Sequence, residues 1–249
     1  MIQPEIKVLP TPQAIAEEAA RRISEAAEVA IALNDRFSLA LSGGSTPKLL
    51  HQVLASEYRD AIDWAKVEIF FGDERCVPPD HAESNFRMAQ ETLLSKVPIP
   101  GDNVYRMRGE IEPNEAAKEY GLMLKEKFGA LNAGPGISLI LLGLGEDAHT
   151  ASLFPDTVAV AETKHRCMAN YAENSTTGKS WRITLTAPFI NQCEQILFLV
   201  TGAKKAQALA NVLEGPQNPT KWPAQLIEPA SGKVTWLIDP PAAGMHEEM

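Results

Sequence analysis

Five nearly continuous apolar runs of strand length, spaced by stretches of helical periodicity, constrain this chain more than any other feature. They are Phe37–Leu41 (FSLAL), Val67–Phe71 (VEIFF), Ile137–Leu142 (ISLILL), Ile196–Val200 (ILFLV) and Val234–Ile238 (VTWLI). A strand with one wet face alternates apolar and polar residues, whereas a strand covered on both faces reads as an unbroken apolar run. Between the runs the spacing predicts helices. Thr11 caps the first, Pro12 opens it and AIAEEAARRISEAAEVAIAL carries it. Others are expected over 47–55, 84–95, 113–131 and 203–214. This alternation implies an α/β fold, a mostly parallel Rossmann-like sheet flanked by helices on both faces. Ligand sites in such sheets lie at the carboxyl ends of the strands. No internal repeat or linker interrupts the 249 residues, so residues 1–249 read as one domain.

Charge and composition narrow the partners. The net charge is −9, from 23 basic and 32 acidic side chains, and aromatics are 6% of the chain. Phosphate backbones and anionic lipid surfaces would be repelled, and little is present for bases to stack on, which argues against nucleic acid and membrane. The longest apolar stretches fall far short of a membrane span. Cys76, Cys167 and Cys193 are odd in number and far apart, which fits a reducing compartment better than a disulfide framework. The start, MIQPEIKVLP, lacks the charged and apolar regions of a secretory signal, so the cytoplasm is expected. The closing MHEEM is expected to fray. Protein partners leave no readable mark.

Three turns at strand ends carry candidate chemistry. After FSLAL comes Ser42-Gly43-Gly44-Ser45-Thr46-Pro47-Lys48. Its glycines allow a sharp turn, and Thr46 as cap with Pro47 as first residue would aim a helix's unpaired N–H groups into the loop. That is a cradle for a phosphate, although an ordinary capped turn would look the same. The spacing and the GK[ST] ending of a Walker A loop are missing. After VEIFF comes Gly72-Asp73-Glu74-Arg75, then Ser84-Asn85-Phe86. Three charges in a row at a strand end must pair with one another or with a ligand. After ISLILL comes Gly143-Leu144-Gly145-Glu146-Asp147-Ala148-His149. It satisfies G-x-G-x-x-A, but Pro155 leaves the following helix too short for a dinucleotide crossover, and the loop is crowded with titratable groups. What remains is His149 at the start of a short helix, with Asp147 two residues before it. A helix N-terminus favours the neutral imidazole that accepts a proton. Arg182 in RITLT and Lys204-Lys205 after Gly202 are cations where an anion site would need them. No histidine or cysteine set has metal-ligand spacing: Cys76 and His81 stand alone, and His51, His165 and His246 form no catalytic pattern.

In this order, LALSGGSTPKLL, FFGDERCVPPDHAESNF, LILLGLGEDAHTASLFP, RITLTAPFIN, VTGAKKAQAL and WPAQLI with VTWLID resemble the 6-phosphogluconolactonases, within the wider glucosamine-6-phosphate isomerase/deaminase superfamily. The resemblance spans about residues 10 to 240. It implies hydrolysis of 6-phospho-D-glucono-1,5-lactone to 6-phospho-D-gluconate, with a phosphosugar lactone as the partner and no metal or organic cofactor. It assigns the 6-phosphate to Gly43, Gly44, Ser45 and Thr46 with Arg182 and Lys205, the Gly-x-x-Lys spacing from Gly202 selecting Lys205 over Lys204. Arg75 would contact substrate, His149 would be the base, and Asp73 and Asp147 would orient the site. The chemistry is consistent: an imidazole can take a proton from water near neutral pH and return it to the leaving ring oxygen, while Arg75 faces the charge growing on the C1 oxygen. One departure stands out, because the family usually has Gly where this chain has Ala148. If that position needs a positive φ, Ala is strained by about 1–2 kcal/mol. The deaminase branch continues its Gly-His run with an AFNEP-like sequence. Here no acid follows His149 until Asp156. A non-catalytic phosphosugar-binding module would be free to lose His149 and Arg75, and both are present.

Overall fold

Every apolar run becomes a strand in the computed structural model, which describes residues 4–131, 134–174 and 178–245. Of the closing MHEEM, residues 246–249 lie outside the described residues, and His246 with them. The strands are β1 (Glu5–Val8), β2 (Phe37–Leu41), β3 (Val67–Phe71), β4 (Asp73–Arg75), β5 (Leu139–Leu142), β6 (Cys167–Asn174), β7 (Gly178–Leu185), β8 (Gln195–Val200) and β9 (Lys233–Ile238). The α-helices are α1 (Pro12–Asn34), α2 (Ser45–Ser56), α3 (Asn85–Ala89), α4 (Pro113–Phe128), α5 (Ala187–Ile190) and α6 (Ala206–Leu213).

Six strands form one sheet in the order β1-β9-β8-β5-β2-β3, with every neighbouring pair parallel. Their apolar side chains divide by pleat. Leu39, Leu41, Ile69, Phe71, Leu141 and Leu199 enter one core, which α1 and α2 cover. Ala40, Phe70, Ile140, Leu142, Phe198 and Trp236 enter a second core on the opposite face, against α4, α5 and α6. Two covered faces are why the runs show no alternation. The small-residue stripe of α1 (Ala16, Ala19, Ala20, Ala27) is fully buried and lets that helix lie close on the sheet. Thr11 caps α1 as the sequence indicates, accepting from the Ala14 amide at 3.1 Å. Such a cap stabilises by about 1 kcal/mol.

A second sheet, antiparallel in the order β4-β7-β6, has no counterpart in the expected architecture and supplements the parallel sheet. Gly72 joins the two. Its N–H donates to the Leu41 carbonyl in the large sheet, and its carbonyl accepts from Leu185 in the small one. The chain therefore crosses from β3 into β4 within one residue.

Several expected elements shift. The run at Ile137 pairs only from Leu139. The helix expected over 84–95 is α3 followed by a π-helical turn, Gln90–Leu94. The helix expected over 113–131 ends at Phe128, and the one over 203–214 opens with a 3₁₀ turn, Ala203–Lys205. No helix follows β5. Positive φ at Ala148 (62°), Ala151 (47°) and Asp156 (57°) breaks it, and an isolated bridge between Thr150 and Leu153 closes a turn instead.

Candidate active site

Strand order locates the crevice. β2 leads on to β3 on one side, while β5 leads by way of the small sheet to β8 on the other, so the loops after β2 and β5 diverge between adjacent strands. Such a reversal leaves a cleft at the carboxyl ends. A cavity of about 310 Å³ lies there, and it brings together Gly43, Gly44, Asp73, Arg75, His149, Arg182 and Lys205. Lys204 is not among its lining residues.

The loop after β2 differs from its expected form. Gly44, at φ 112°, is the cap of α2, and the helix starts at Ser45. Thr46 therefore is not the cap. It is buried inside the first turn, where its hydroxyl meets that of Thr201 at 2.9 Å and ties this loop to the one after β8. Ser45 is exposed beside the cavity. The wall is formed by Ser42, Gly43 and Gly44. A Cβ at Gly43 would lie 2.1 Å from the Asn85 amide oxygen, so only glycine allows the loop to meet Asn85.

The Asp-Glu-Arg run is β4, and pairing with β7 splits its charges between two tasks. Glu74 is buried and accepts from the amides of Arg75 and Asn85 at 2.8 Å, from the Phe86 amide at 2.8 Å and from the Ser84 hydroxyl at 3.0 Å. Burial raises its pKa, and these donors partly offset the rise. It anchors the start of α3 and so delivers Asn85. Asp73 faces the cavity and is held on both oxygens, by Ser152 Oγ at 2.5 Å and Asn85 Nδ2 at 3.2 Å. Ser152 is itself fixed by Thr184 Oγ1 and by Asn170, whose Nδ2 donates to the Ser152 carbonyl at 2.9 Å.

Arg75 and Arg182 stand directly opposite each other in the β4–β7 register. Like charges in that position repel, so the pair calls for an anion between them. Arg182 is 4% exposed, and burial draws its pKa down, with Asp73 opposing and Arg75 adding to the fall. Its Nε donates to Ser180 Oγ at 3.0 Å, and its guanidinium lies 6.0 Å from the Phe154 ring centroid. Arg75 Nη1 donates to the Glu83 carbonyl at 2.5 Å, while its buried Nε–H meets no acceptor among the described residues. Lys205 reaches the wall from the turn at Gly202, whose N–H is held at 3.0 Å by the buried carboxylate of Asp239.

No helix stands behind His149, so a helix N-terminus does not act on the ring. A carboxylate orients it instead. His149 Nδ1 lies 2.5 Å from Asp147 Oδ1, which also accepts the His149 amide at 3.1 Å. Burial pushes the Asp147 carboxyl up, but the hydrogen bonds and charge of His149 outweigh it and hold the group below its ordinary value. An ionised carboxylate only accepts, so Nδ1 is the nitrogen that donates to it, and in the neutral ring the lone pair is on Nε2. The ring packs on Phe154, centroids 4.3 Å apart. A Cβ at Gly145 would lie 2.0 Å from Nδ1 and 2.4 Å from Asp147 Oδ1, so this position must be glycine for the pair to form. Ala148, between the pair, has φ 62° and is fully buried, the strained alternative considered for its sequence departure.

Sequence reasoning did not reach Ser152 or Asp239 as site residues, and it placed Ser42, Glu74 and Asn85 in its candidate turns without giving them a final site role. Asn85 was the most accessible of them, since it follows Ser84, a residue type that caps helices, and Ser84 does cap α3. Ser152 was hidden by the expectation of a helix there. A larger cleft of about 590 Å³ lies at the opposite, amino end of β5, β8 and β9, where Arg21 and Arg22 pair with Glu5, Glu18 and Glu25. Among the described residues no cluster of three or more His, Cys, Asp or Glu could hold a metal, and no helix is long and apolar enough to cross a membrane. The three cysteines are free thiols; burial pushes Cys76 up to about 11 and Cys193 up to about 12, and raises Cys167 as well.

Residues 10–236 match the family of glucosamine-6-phosphate isomerases/6-phosphogluconolactonase. A 6-phosphogluconolactonase of Synechocystis sp. is 38% identical over 239 residues, covering 95% of each chain. A probable chloroplastic 6-phosphogluconolactonase of Oryza sativa subsp. indica is 36% identical over 239 residues, which span 93% of this chain and 72% of that one. The solved structure of 6-phosphogluconolactonase from Trypanosoma brucei is similar at a TM-score of 0.86 and 32% identity, over 98% of this chain and 99% of that one.

Proposed function

The chain belongs to the family of glucosamine-6-phosphate isomerases and 6-phosphogluconolactonases, and on that footing we propose that it hydrolyses 6-phospho-D-glucono-1,5-lactone to 6-phospho-D-gluconate in the pentose phosphate pathway. The observation that carries the mechanism is the Asp147–His149 pair facing two in-register arginines across one small cavity. The substrate's 6-phosphate lies against the N–H groups around Gly43, Gly44, Ser45 and Thr46, with Arg182 and Lys205 as counter-charges. This anchoring fixes C1 near His149 and replaces a bimolecular encounter with a positioned one.

His149 Nε2 takes a proton from a water as that water attacks C1, and Asp147 stabilises the imidazolium that forms. Charge builds on the C1 oxygen, where Arg75 meets it. As the tetrahedral intermediate collapses, the C1–ring oxygen bond breaks and the imidazolium returns its proton to that ring oxygen. Asp73, locked by Ser152 and Asn85, offsets the charge of the arginine pair and keeps both guanidiniums in place. Three unpaired thiols and an acidic surface support a reducing, cytoplasmic setting.

Hydrolysis of freshly made lactone, measured with the spontaneous rate subtracted, tests this reading. The wild type should exceed background by a wide margin, and His149→Ala should lower kcat roughly 10²–10⁴-fold. A His149→Ala protein as fast as wild type would remove the base from the mechanism. Release of ammonia from glucosamine 6-phosphate, with no lactone turnover, would move the chain to the other branch of the family.

A further inference from the structure

The chain carries a second cationic cleft, away from the catalytic cavity and sharing no lining residue with it. It runs between α4 and the segment that leads into β6, encloses about 490 Å³, and falls within the range of small-ligand sites. Lys118 and Lys125 line it from α4, and Lys164 and Arg166 line it from the facing segment. Lys118, Lys125 and Lys164 are exposed, and none of the four forms an ion pair among the described residues. Some exposed cations elsewhere meet a carboxylate, as Arg21, Arg59, Lys66, Arg87 and Arg108 do, and others such as Arg36, Lys48 and Lys96 do not among the described residues. What distinguishes the cleft is four cations without ion pairs on one concave surface.

The one acid that lines the cleft is Glu162. Glu162 accepts the amides of Lys164 and His165 at 2.6 and 3.1 Å and meets His165 Nδ1 at 2.9 Å. These donors hold its carboxylate within its own turn and keep it ionised, one negative charge beside four cations. Arg166 donates through Nη2 to the Gly129 carbonyl, but its buried Nε–H has no acceptor. A buried donor of a charged group left without a partner is costly. Four cations against one carboxylate give this concave surface a local positive charge on a chain of net charge −9. The helix contributes its lysines on one stripe, at spacings that put Lys118, Leu122 and Lys125 on the same face.

We propose that this cleft between α4 and β6 is an accessory binding site for a small molecule carrying two or more phosphate groups. Several separated cations suit a polyanion better than a single phosphate, and the cleft is too small for a macromolecular surface. The proposal does not depend on the catalytic reading.

The test is a titration of ¹⁵N-labelled full chain with sodium tripolyphosphate, followed by amide shifts and by calorimetry. Saturable shifts at Lys118, Leu122, Lys125 and residues 164–169 are expected, with a Kd of about 1 mM or tighter. The Lys118→Glu/Lys125→Glu variant should bind at the cleft about tenfold more weakly or worse, while its lactone hydrolysis stays at the wild-type rate. Shifts confined to the neighbourhood of Gly43, Arg182 and Lys205 would overturn the proposal. So would equal affinity of wild type and variant at the cleft. The wild-type titration decides the matter even if the variant folds poorly.

Discussion

His51 makes acid sensitivity a sharp test of the packing behind the catalytic cavity. It lies on α2, the helix that follows the Gly43–Gly44 loop, and is fully buried against the π-helical turn that continues from Asn85. Thr92 Oγ1 donates to the Met88 carbonyl at 2.6 Å, so toward His51 Nδ1, 2.9 Å away, it accepts. The imidazole is thus neutral with its proton on Nδ1, and Nε2 is buried with no partner. Burial lowers its pKa from 6.5 to about 4. In the unfolded chain His51 protonates as the pH falls through 6.5, whereas in the folded chain it resists until about pH 4. Its neutral form therefore adds stability that is complete above pH 6.5 and drains away between 6.5 and 4, at most about 3 kcal/mol. Between pH 7 and pH 5 the loss is about 2 kcal/mol. Glu18, Glu110 and Glu162, held at about 2, each give up well under about 1 kcal/mol over that interval, because unfolded carboxylates are still mostly ionised at pH 5. His51→Asn keeps a donor toward Thr92 and cannot titrate. The cavity it leaves lowers stability at both pH values alike and cancels in the difference. Urea unfolding followed by circular dichroism at pH 7 and pH 5 should show the wild type losing about 2 kcal/mol more than the variant. Equal losses in the two proteins would refute the reasoning.

Three further outcomes follow from the site. Gly145→Ala drives a methyl into the His149–Asp147 contact and should lower kcat roughly 10²-fold with little change in KM; the Nδ1 proton signal should be displaced in NMR, and an unaltered signal would count against the pair. Lys205→Ala and Arg182→Ala should mainly raise KM for the phosphorylated lactone, and initial rates with the non-phosphorylated lactone should change far less; a parallel change for both substrates would misplace the phosphate. Ala148→Gly relieves roughly 1–2 kcal/mol of left-handed strain but gives up a buried methyl worth about 0.8 kcal/mol and adds chain entropy of about 0.4–1 kcal/mol. Thermal unfolding should therefore move by only a few degrees, and a large loss of Tm would show that Ala148 is not strained.

What could be read in advance follows from how local each cause is. Phe37–Leu41 and Val67–Phe71 appear as strands with the boundaries the sequence suggests, because burial on both faces writes itself into consecutive residues. Thr11 and Pro12 were legible because a cap is a contact within one turn. β4, β6 and β7 were hidden for the opposite reason. Asp73-Glu74-Arg75 is a strand only because β7, more than a hundred residues later, pairs with it, and its charges are satisfied by Ser84, Asn85 and Ser152 from elsewhere. The Gly-rich turn at His149 showed its residues but not its shape. Hydrogen bonds from Thr150 to Gly143 and from Gly145 to His149, with left-handed Ala148, fold it into a loop that mimics a helix start in composition alone. Gly44 displaced Thr46 as the cap of α2 because Thr46 is claimed by Thr201.

The place of β1 has a consequence for how the protein is made. Within the sheet β1 pairs only with β9, and Glu5 meets Thr235 across 230 positions of chain. The earliest strand of this sheet is thus paired only by its latest, and at ordinary elongation rates it waits roughly 10–50 s for that neighbour. Through that interval Glu5 and Lys7, with Pro4 just before them, make a poor template for stray strands. Once β9 is in place, Arg22 and Glu18 of α1 pair with Glu5 and Lys7. The charges that kept the strand solitary during synthesis then fasten it to the finished molecule.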